Sequence, residues 1–97
     1  MSHFNLDQAK LEAAAAKLRA ISHPARIAIL EMLADKELCV TDIYTNLKLD
    51  QATTSHHLNV LKNSGILESQ RKGKMIFYSL KFQSLTDIIS CINRCHG

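Results

Sequence analysis

Residues 50–65 read Asp-Gln-Ala-Thr-Thr-Ser-His-His-Leu-Asn-Val-Leu-Lys-Asn-Ser-Gly and encode a helix together with both of its ends. Asp50 is a favourable N-cap, because its carboxylate can accept hydrogen bonds from the unpaired amides of the first turn. Gly65 can end the helix in the left-handed conformation, since it has no Cβ to clash. The sequence therefore predicts a helix between these two residues.

The predicted helix has one apolar stripe and several polar faces. Thr54, Leu58 and Leu61 fall at spacings i, i+4 and i+7, so they can face a core together. The other faces carry short hydrogen-bonding groups, namely Gln51, Thr53, Ser55, His56, His57 and Asn59. Donors and acceptors of this kind can read base edges in the major groove of DNA. The helix is therefore a candidate for reading DNA.

Length and composition indicate one globular domain over residues 1–97. The chain is 46% apolar and has one proline and three glycines, which argues against disorder. It has neither an apolar run long enough to cross a bilayer nor the pattern of a signal peptide at its start. Its three cysteines are an odd number. We therefore expect reduced thiols, a cytoplasmic location and no membrane partner.

The formal net charge of +3 is unevenly distributed. From Lys48 to Lys81, six Lys or Arg residues stand against the two acids Asp50 and Glu68, a net charge of +4. The rest of the chain therefore sums to −1. Positive charge gathered around one helix and the segment after it indicates a polyanionic partner.

Hydrophobic periodicity predicts two helices ahead of this region. The first covers residues 6–21, where apolar residues recur at helical spacing: Leu11, Ala14, Ala15, Leu18 and Ile21. Ser22 and His23 break it, and Pro24 begins the second helix at its first turn. The second helix carries Ile27, Leu30, Leu33 and Ala34 on one face and ends in polar residues 35–37.

A helix-turn-helix follows. Residues 38–40 are a short apolar link or a minimal edge strand, and Thr41 is predicted to cap a short third helix. Lys48 and Leu49 make the turn into the helix of residues 50–65. Two short helices joined by a tight turn, the second displaying polar groups, constitute this motif, although the frequent glycine of the turn is missing.

After Gly65 the period changes from helical to alternating. Residues 66–71 and 75–80 are predicted strands of a hairpin whose tip carries Arg71, Lys72, Gly73 and Lys74. Such a basic tip can lie along phosphates while the helix enters the groove; alternatively, the tip only keeps the hairpin soluble. Residues 83–95 are predicted as a last helix. The predicted fold class is mostly α with a β-hairpin wing, a winged helix-turn-helix of five helices and a two-stranded wing.

Five segments, in this order, resemble the ArsR/SmtB family of winged-helix repressors. They are Ser-His-Pro-Ala-Arg-Ile-Ala-Ile-Leu at 22–30, Glu-Leu-Cys-Val-Thr-Asp-Ile at 37–43, Ser-His-His-Leu-Asn-Val-Leu at 55–61, Gly-Ile-Leu at 65–67 and Phe-Tyr-Ser-Leu at 77–80. The resemblance implies a homodimer whose first and last helices, residues 6–21 and 83–95, form the interface. It also implies a pseudo-palindromic operator in double-stranded DNA as the ligand and release by an inducer.

The inducer sites of this family are incomplete in the sequence. Of its Cys-Val-Cys motif with a third Cys three residues on, the chain keeps Cys39 but has Thr41 and Tyr44 at the other positions. Of its site on the last helix, only Cys95 could serve as a ligand. A soft-metal site needs about three or four converging ligands. No cofactor is therefore assigned, although a soft metal ion or a metalloid is a possible inducer.

The thiols nevertheless form a candidate sensor. Cys91 and Cys95 are four residues apart and share a helical face, so they are the first candidates. Cys39 and His96 are weaker candidates, because Cys39 lies between apolar residues and His96 lies next to Gly97. The alternative is that these cysteines only pack.

Other classes of function are less well supported by the residues. An enzyme is not expected, because no cysteine has an activating His or acid at a suitable spacing and no paired carboxylates appear. A thiol-based redox or metal-handling protein is the first alternative to the repressor. A winged helix used only for protein contacts is the second, and it predicts apolar residues on the exposed face of residues 50–63. Of the adjacent His56 and His57, one is expected to face DNA and the other to pack between helix and wing.

Overall fold

The computed structural model describes residues 7–81 and residue 94, and these contain four helices and three strands. The elements are α1 (Gln8–Ile21), α2 (Pro24–Met32), β1 (Leu38–Cys39), α3 (Val40–Leu47), α4 (Gln51–Asn63), β2 (Leu67–Lys72) and β3 (Met75–Leu80). The predicted winged helix-turn-helix is present in this part of the chain. Four helices stand where five were predicted, and the fifth, over residues 83–95, falls outside the described residues except for Arg94, which is helical. Among the described helices, none is long and apolar enough to cross a membrane.

Local sequence explains where the first two helices begin. Asp7 caps α1 by accepting a hydrogen bond from the Lys10 amide at 2.9 Å. His23 caps α2, since its Nδ1 atom accepts from the Ala25 amide at 3.1 Å. Pro24 occupies the first turn of α2, where its missing N–H is not needed. The Asp cap and the Pro in the first turn are ordinary signals of a helix start, whereas a histidine cap is unusual.

The start of α3 corrects one prediction. The helix begins at Val40, with Cys39 as the N-cap residue, and Cys39 makes no side-chain capping bond. Thr41 is therefore inside the helix rather than at its cap. At the other end Lys48 adopts the left-handed conformation with φ 59°, so a lysine stands where glycine is frequent in this turn.

The wing is part of a three-stranded sheet rather than a two-stranded one. Its strand order is β1-β3-β2, with both pairs antiparallel. Leu38 and Cys39 of β1 pair with Tyr78 and Phe77 of β3. The short apolar link is thus an edge strand, and it joins the base of the wing to the start of α3.

The core lies where the end of α1 and the helices α2, α3 and α4 meet the base of the wing. Its members are buried apolar side chains from every one of these elements: Ala20, Ile29, Leu30, Leu33, Ile43, Leu58, Leu61, Ile66, Leu67 and Leu80. The predicted stripe of α4 is confirmed, since Thr54, Leu58 and Leu61 are all fully buried. Burying this stripe turns the opposite face of α4 toward solvent.

Candidate DNA-binding surface

The N-terminus of α4 is fixed by its predicted cap. The Asp50 carboxylate accepts from the Thr53 amide at 2.9 Å and from the Thr53 hydroxyl at 2.6 Å. The hydroxyl bond is the main reason why the pKa of Asp50 lies below its ordinary value, and the amide bond adds to it. Asp50 is therefore ionised at neutral pH. The N-terminus of the helix stabilises its negative charge.

The exposed face of α4 carries most of the predicted readout residues. Gln51, Thr53, His56 and Asn59 are exposed, and Ser55 is half-buried. The Thr53 hydroxyl donates its proton to Asp50. It can therefore act only as a hydrogen-bond acceptor toward a bound ligand. The face therefore presents amide, imidazole and hydroxyl groups. Donors and acceptors of this kind suit contacts to base edges.

His57 does not belong to this exposed set. Its side chain is only 5% exposed, and its Nδ1 atom accepts a hydrogen bond from Nε of Arg26 at 3.1 Å. Its ring lies 4.5 Å from the ring of His23 and 5.8 Å from that of His56, between centroids. The prediction that His57 contacts DNA is therefore corrected: its ring is inside, against Arg26 and His23 at the start of α2.

Burial and its neighbours make His57 resist protonation. Burial is the largest cause that lowers the pKa of His57, because the charged imidazolium loses hydration. The charges of His23, Arg26 and His56 lower it further by repulsion. His57 is consequently neutral at neutral pH, with Nδ1 as the acceptor and the proton on Nε2.

The three basic side chains of the hairpin tip make different contacts. The two-residue loop of Gly73 and Lys74 reverses the chain, and Gly73 supplies the positive φ of 65° that the turn requires. Arg71 donates through Nε to the Gly73 carbonyl at 3.2 Å. Lys72 pairs with Glu37, which precedes β1, and its Nζ lies 5.2 Å from the centre of the Phe77 ring. Lys74 is exposed at the end of the loop.

The described thiol, Cys39, is buried beside a carboxylate. Cys39 is 4% exposed, and its Sγ atom donates to Oδ2 of Asp42 at 3.2 Å. Within residues 7–81, no three His, Cys, Asp or Glu side chains come together as metal ligands. Cys91, Cys95 and His96 lie outside the described residues.

Sequence reasoning missed two residues that shape this surface. Arg26 links α2 to both Ala20 and His57, and Glu37 holds Lys72 of the wing. From the sequence alone, the segment of Arg26 is described only by its apolar face and the segment of Glu37 only as a polar helix end. A local signal for Arg26 was its position among apolar neighbours in α2, where a charge needs a partner.

Comparison with known proteins agrees with the geometry of helix, turn and wing. The family described as "Bacterial regulatory protein, arsR family" matches residues 23–69. An uncharacterized HTH-type transcriptional regulator of Methanocaldococcus jannaschii is 38% identical over 87% of this chain and 96% of its own length. The chain belongs to the ArsR family of bacterial regulatory proteins. Family membership makes it a DNA-binding transcription regulator, as the resemblance of its sequence predicted.

Two further similarities bear on how an ArsR-family chain works. The transcriptional repressor SdpR of Bacillus subtilis is 38% identical over 74% of this chain and 80% of its own length. A homodimeric winged helix-turn-helix DNA-binding domain from Mycobacterium bovis has a TM-score of 0.81 over 94% of this chain and 87% of that chain. It is 24% identical, so this similarity establishes the fold.

Proposed function

We propose that the protein is a homodimeric transcriptional repressor that binds a pseudo-palindromic operator and is released by an inducer. The observation that carries the proposal is the division of α4 into a buried apolar stripe and an exposed face of Gln51, Thr53, His56 and Asn59. A winged helix used only for protein contacts would instead be expected to expose apolar residues there. The similarity to SdpR, a repressor, supports repression rather than activation.

The two parts of the surface have different roles in this proposal. Gln51, Ser55 and His56 contact base edges or nearby phosphates, and so determine which sequence is bound. Arg71, Lys72 and Lys74 contact phosphates, which adds affinity for any sequence and fixes the orientation of the domain. A basic hairpin tip directly after a recognition helix whose exposed first turns carry uncharged polar groups supports this division.

Pairing of two chains is supported by α1. Only Ala20 of this 14-residue helix is buried, while Leu11 is 46% and Leu18 is 63% exposed. A helix of this length is marginally stable in water without a packed apolar face. Joining the α1 helices across a two-fold axis, together with the helices of residues 83–95, would cover that face. The homodimeric domain from Mycobacterium bovis is a precedent with the same fold.

Dimer formation also predicts the operator. Two α4 helices related by a two-fold axis read inverted half-sites about 10 base pairs apart. Selection of bound sequences from random DNA by the reduced protein tests this directly. Enrichment of an inverted repeat with that spacing is the expected result. Selected sequences that share no motif, or that share a single asymmetric site, would contradict it.

A substitution on α1 tests the interface itself. Leu18→Asp places a charge on the exposed apolar face, so we expect monomers and a large loss of operator affinity. Ala13→Asp is the matched control, because residue 13 is exposed and about 140° away around the helix. Analytical ultracentrifugation measures both. A monomeric wild-type protein at micromolar concentration would remove the dimer from the proposal.

The inducer is assigned to Cys91 and Cys95 as a proposal from the sequence. Two thiols four residues apart supply half of a tetrahedral site, so His96, Cys39 or the second chain must complete it, or the thiols react covalently with an arsenical or an oxidant. In a dimer built on residues 83–95, a ligand there can change the spacing of the two α4 helices. Coupling of about 1–3 kcal/mol is usual for allosteric sites.

DNA release by Cys91→Ser/Cys95→Ser protein tests this assignment. Reduced protein on operator DNA is titrated with soft metal ions, arsenite, an oxidant and a persulfide. Cys39→Ser is assayed beside them, since a serine hydroxyl can keep the hydrogen bond to Asp42; release by this variant excludes Cys39 from the site, and loss of release in it as well assigns Cys39 to the site. The wild type should release DNA with one of these agents while the Cys91→Ser/Cys95→Ser protein does not. Equal release by all three proteins, or by none, would make Cys91 and Cys95 packing residues.

A further inference from the structure

One side chain connects three of the described helices. Arg26, half-buried on α2, donates through Nη1 to the Ala20 carbonyl near the end of α1 at 3.2 Å. Through Nε it donates to Nδ1 of His57 on α4 at 3.1 Å. A guanidinium can make two such bonds at once because its donors lie in one rigid plane. The helix proposed for pairing and the helix proposed for reading DNA therefore meet at one residue.

The bond to His57 depends on the protonation state of its ring. Nδ1 can accept from Arg26 only while it carries no proton. Protonation would turn two donors toward each other and place a second positive charge beside the guanidinium. The bond to Ala20 does not change with pH, since a carbonyl accepts throughout. The connection between α2 and α4 is therefore the part that protons can break.

The surroundings of His57 add charge of the same sign. Within the described chain, the charged or titratable groups that act on it are His23 before α2, Arg26 on α2 and His56 on α4 itself. The elements α1, α3 and β2 also pack against α4. None of their described residues is among the charged groups that shift the pKa of His57. His23 uses its own Nδ1 to accept from the Ala25 amide and cap α2. The neighbours of His57 therefore oppose its protonation.

We propose that Arg26 is a positioning residue for DNA binding, which holds α4 in place relative to the end of α1 through a neutral His57. This role rests on the proposed function, because it assigns α4 to DNA and α1 to the dimer. When His57 is protonated, the bond breaks and α4 is less restrained. DNA affinity then falls, because binding must restore the orientation that the bond had provided.

The acid dependence is assigned to His57 by substitution. Protonation of His57 should weaken DNA binding. The comparison that isolates this effect is between the wild type and His57→Asn, in which His56 and His23 are unchanged. An asparagine amide oxygen can take the place of Nδ1 as an acceptor and carries no titrating proton.

The experiment measures operator dissociation constants at about pH 7.5 and about pH 5.5. Between these values the wild type should lose about tenfold more affinity than His57→Asn when both protomers of a dimer contribute. Arg26→Lys keeps the positive charge but lacks the two-pronged donor, so it should bind weakly at both values and lose the difference. Circular dichroism confirms that each protein is folded at each pH.

A measurement without DNA tests the bond on its own. In the wild type the Arg26 Nε proton should exchange slowly in nitrogen-resolved NMR spectra and disappear as His57 titrates. An equal pH response of the wild type and His57→Asn on DNA would overturn the proposal, as would an Arg26 signal that is unchanged when His57 protonates. If no DNA sequence is selected at any pH, the proposed function fails, and this role of Arg26 fails with it even where NMR shows the bond.

Discussion

Glu37→Gln is expected to increase the salt dependence of DNA binding, because Glu37 holds one of the three basic residues of the wing tip. Lys72 is paired with Glu37, with the two side chains 46% and 40% exposed. A pair this exposed contributes at most about 1 kcal/mol to stability, so phosphate can compete for the lysine. While the pair exists, however, its net charge is zero and it adds little to the neutralisation of DNA.

The size of the effect follows from counterion release. Each additional phosphate neutralised changes the slope of log affinity against log salt by about 0.9. A dimer gains two such charges in Glu37→Gln, so the slope should steepen by about 1.8. Between about 50 and 200 mM salt, the variant should therefore lose about tenfold more affinity than the wild type. Fluorescence anisotropy on random and operator DNA measures both slopes.

A double substitution tests whether Glu37 restrains Lys72. In the wild type, Lys72→Ala should reduce the slope by less than about one charge per protomer, because Lys72 is shared with Glu37. In the Glu37→Gln background the same substitution should have its full effect. Lys74→Ala, at the exposed loop position, is the control and should have its full effect in both backgrounds. An identical effect of Lys72→Ala in the two backgrounds would show that Glu37 does not restrain it.

Three further predictions concern readout and stability. Gln51→Ala should weaken binding to the cognate operator by about 1–3 kcal/mol and relax discrimination between bases, measured by competition with single-base operator variants; an equal loss on random DNA would contradict its role in readout. Thr54→Val should raise the free energy of unfolding by about 1 kcal/mol, because the fully buried Thr54 hydroxyl has no hydrogen-bond partner among the described residues. Urea denaturation measures it, with Thr54→Ala as a control that loses the methyl contact and should be destabilised. The contribution of His57 to the free energy of unfolding should be fully present above about pH 6.5 and decrease as pH falls below it, because the unfolded chain binds a proton that His57 in the folded chain resists. His57→Asn should flatten this part of the pH profile, and an unchanged profile would exclude His57 as its source.

The sequence alone determined those parts of the structure that local chemistry encodes. Asp50 and Gly65 defined the ends of α4, since a carboxylate cap and a left-handed glycine act within one turn of the chain. The spacing of Thr54, Leu58 and Leu61 determined which face is buried. The change from helical to alternating period located the wing within one residue at the start of β2 and at both ends of β3. These signals were sufficient for the fold and for most of the exposed face of α4.

The tertiary structure alone decided which polar side chain meets which. Helical spacing places His57 within about 60° of Thr54 and Leu61 and His56 on the opposite side, but only the packing of α2 against α4 decides that the buried ring meets Arg26 and His23. Arg26 and His57 are 31 residues apart, and Glu37 and Lys72 are 35 apart, so no local pattern could pair them. β1 became a strand only because β3 lies beside it. Pairings of this kind depend on how whole elements are arranged, and a local sequence pattern carries only the preferences of each element by itself.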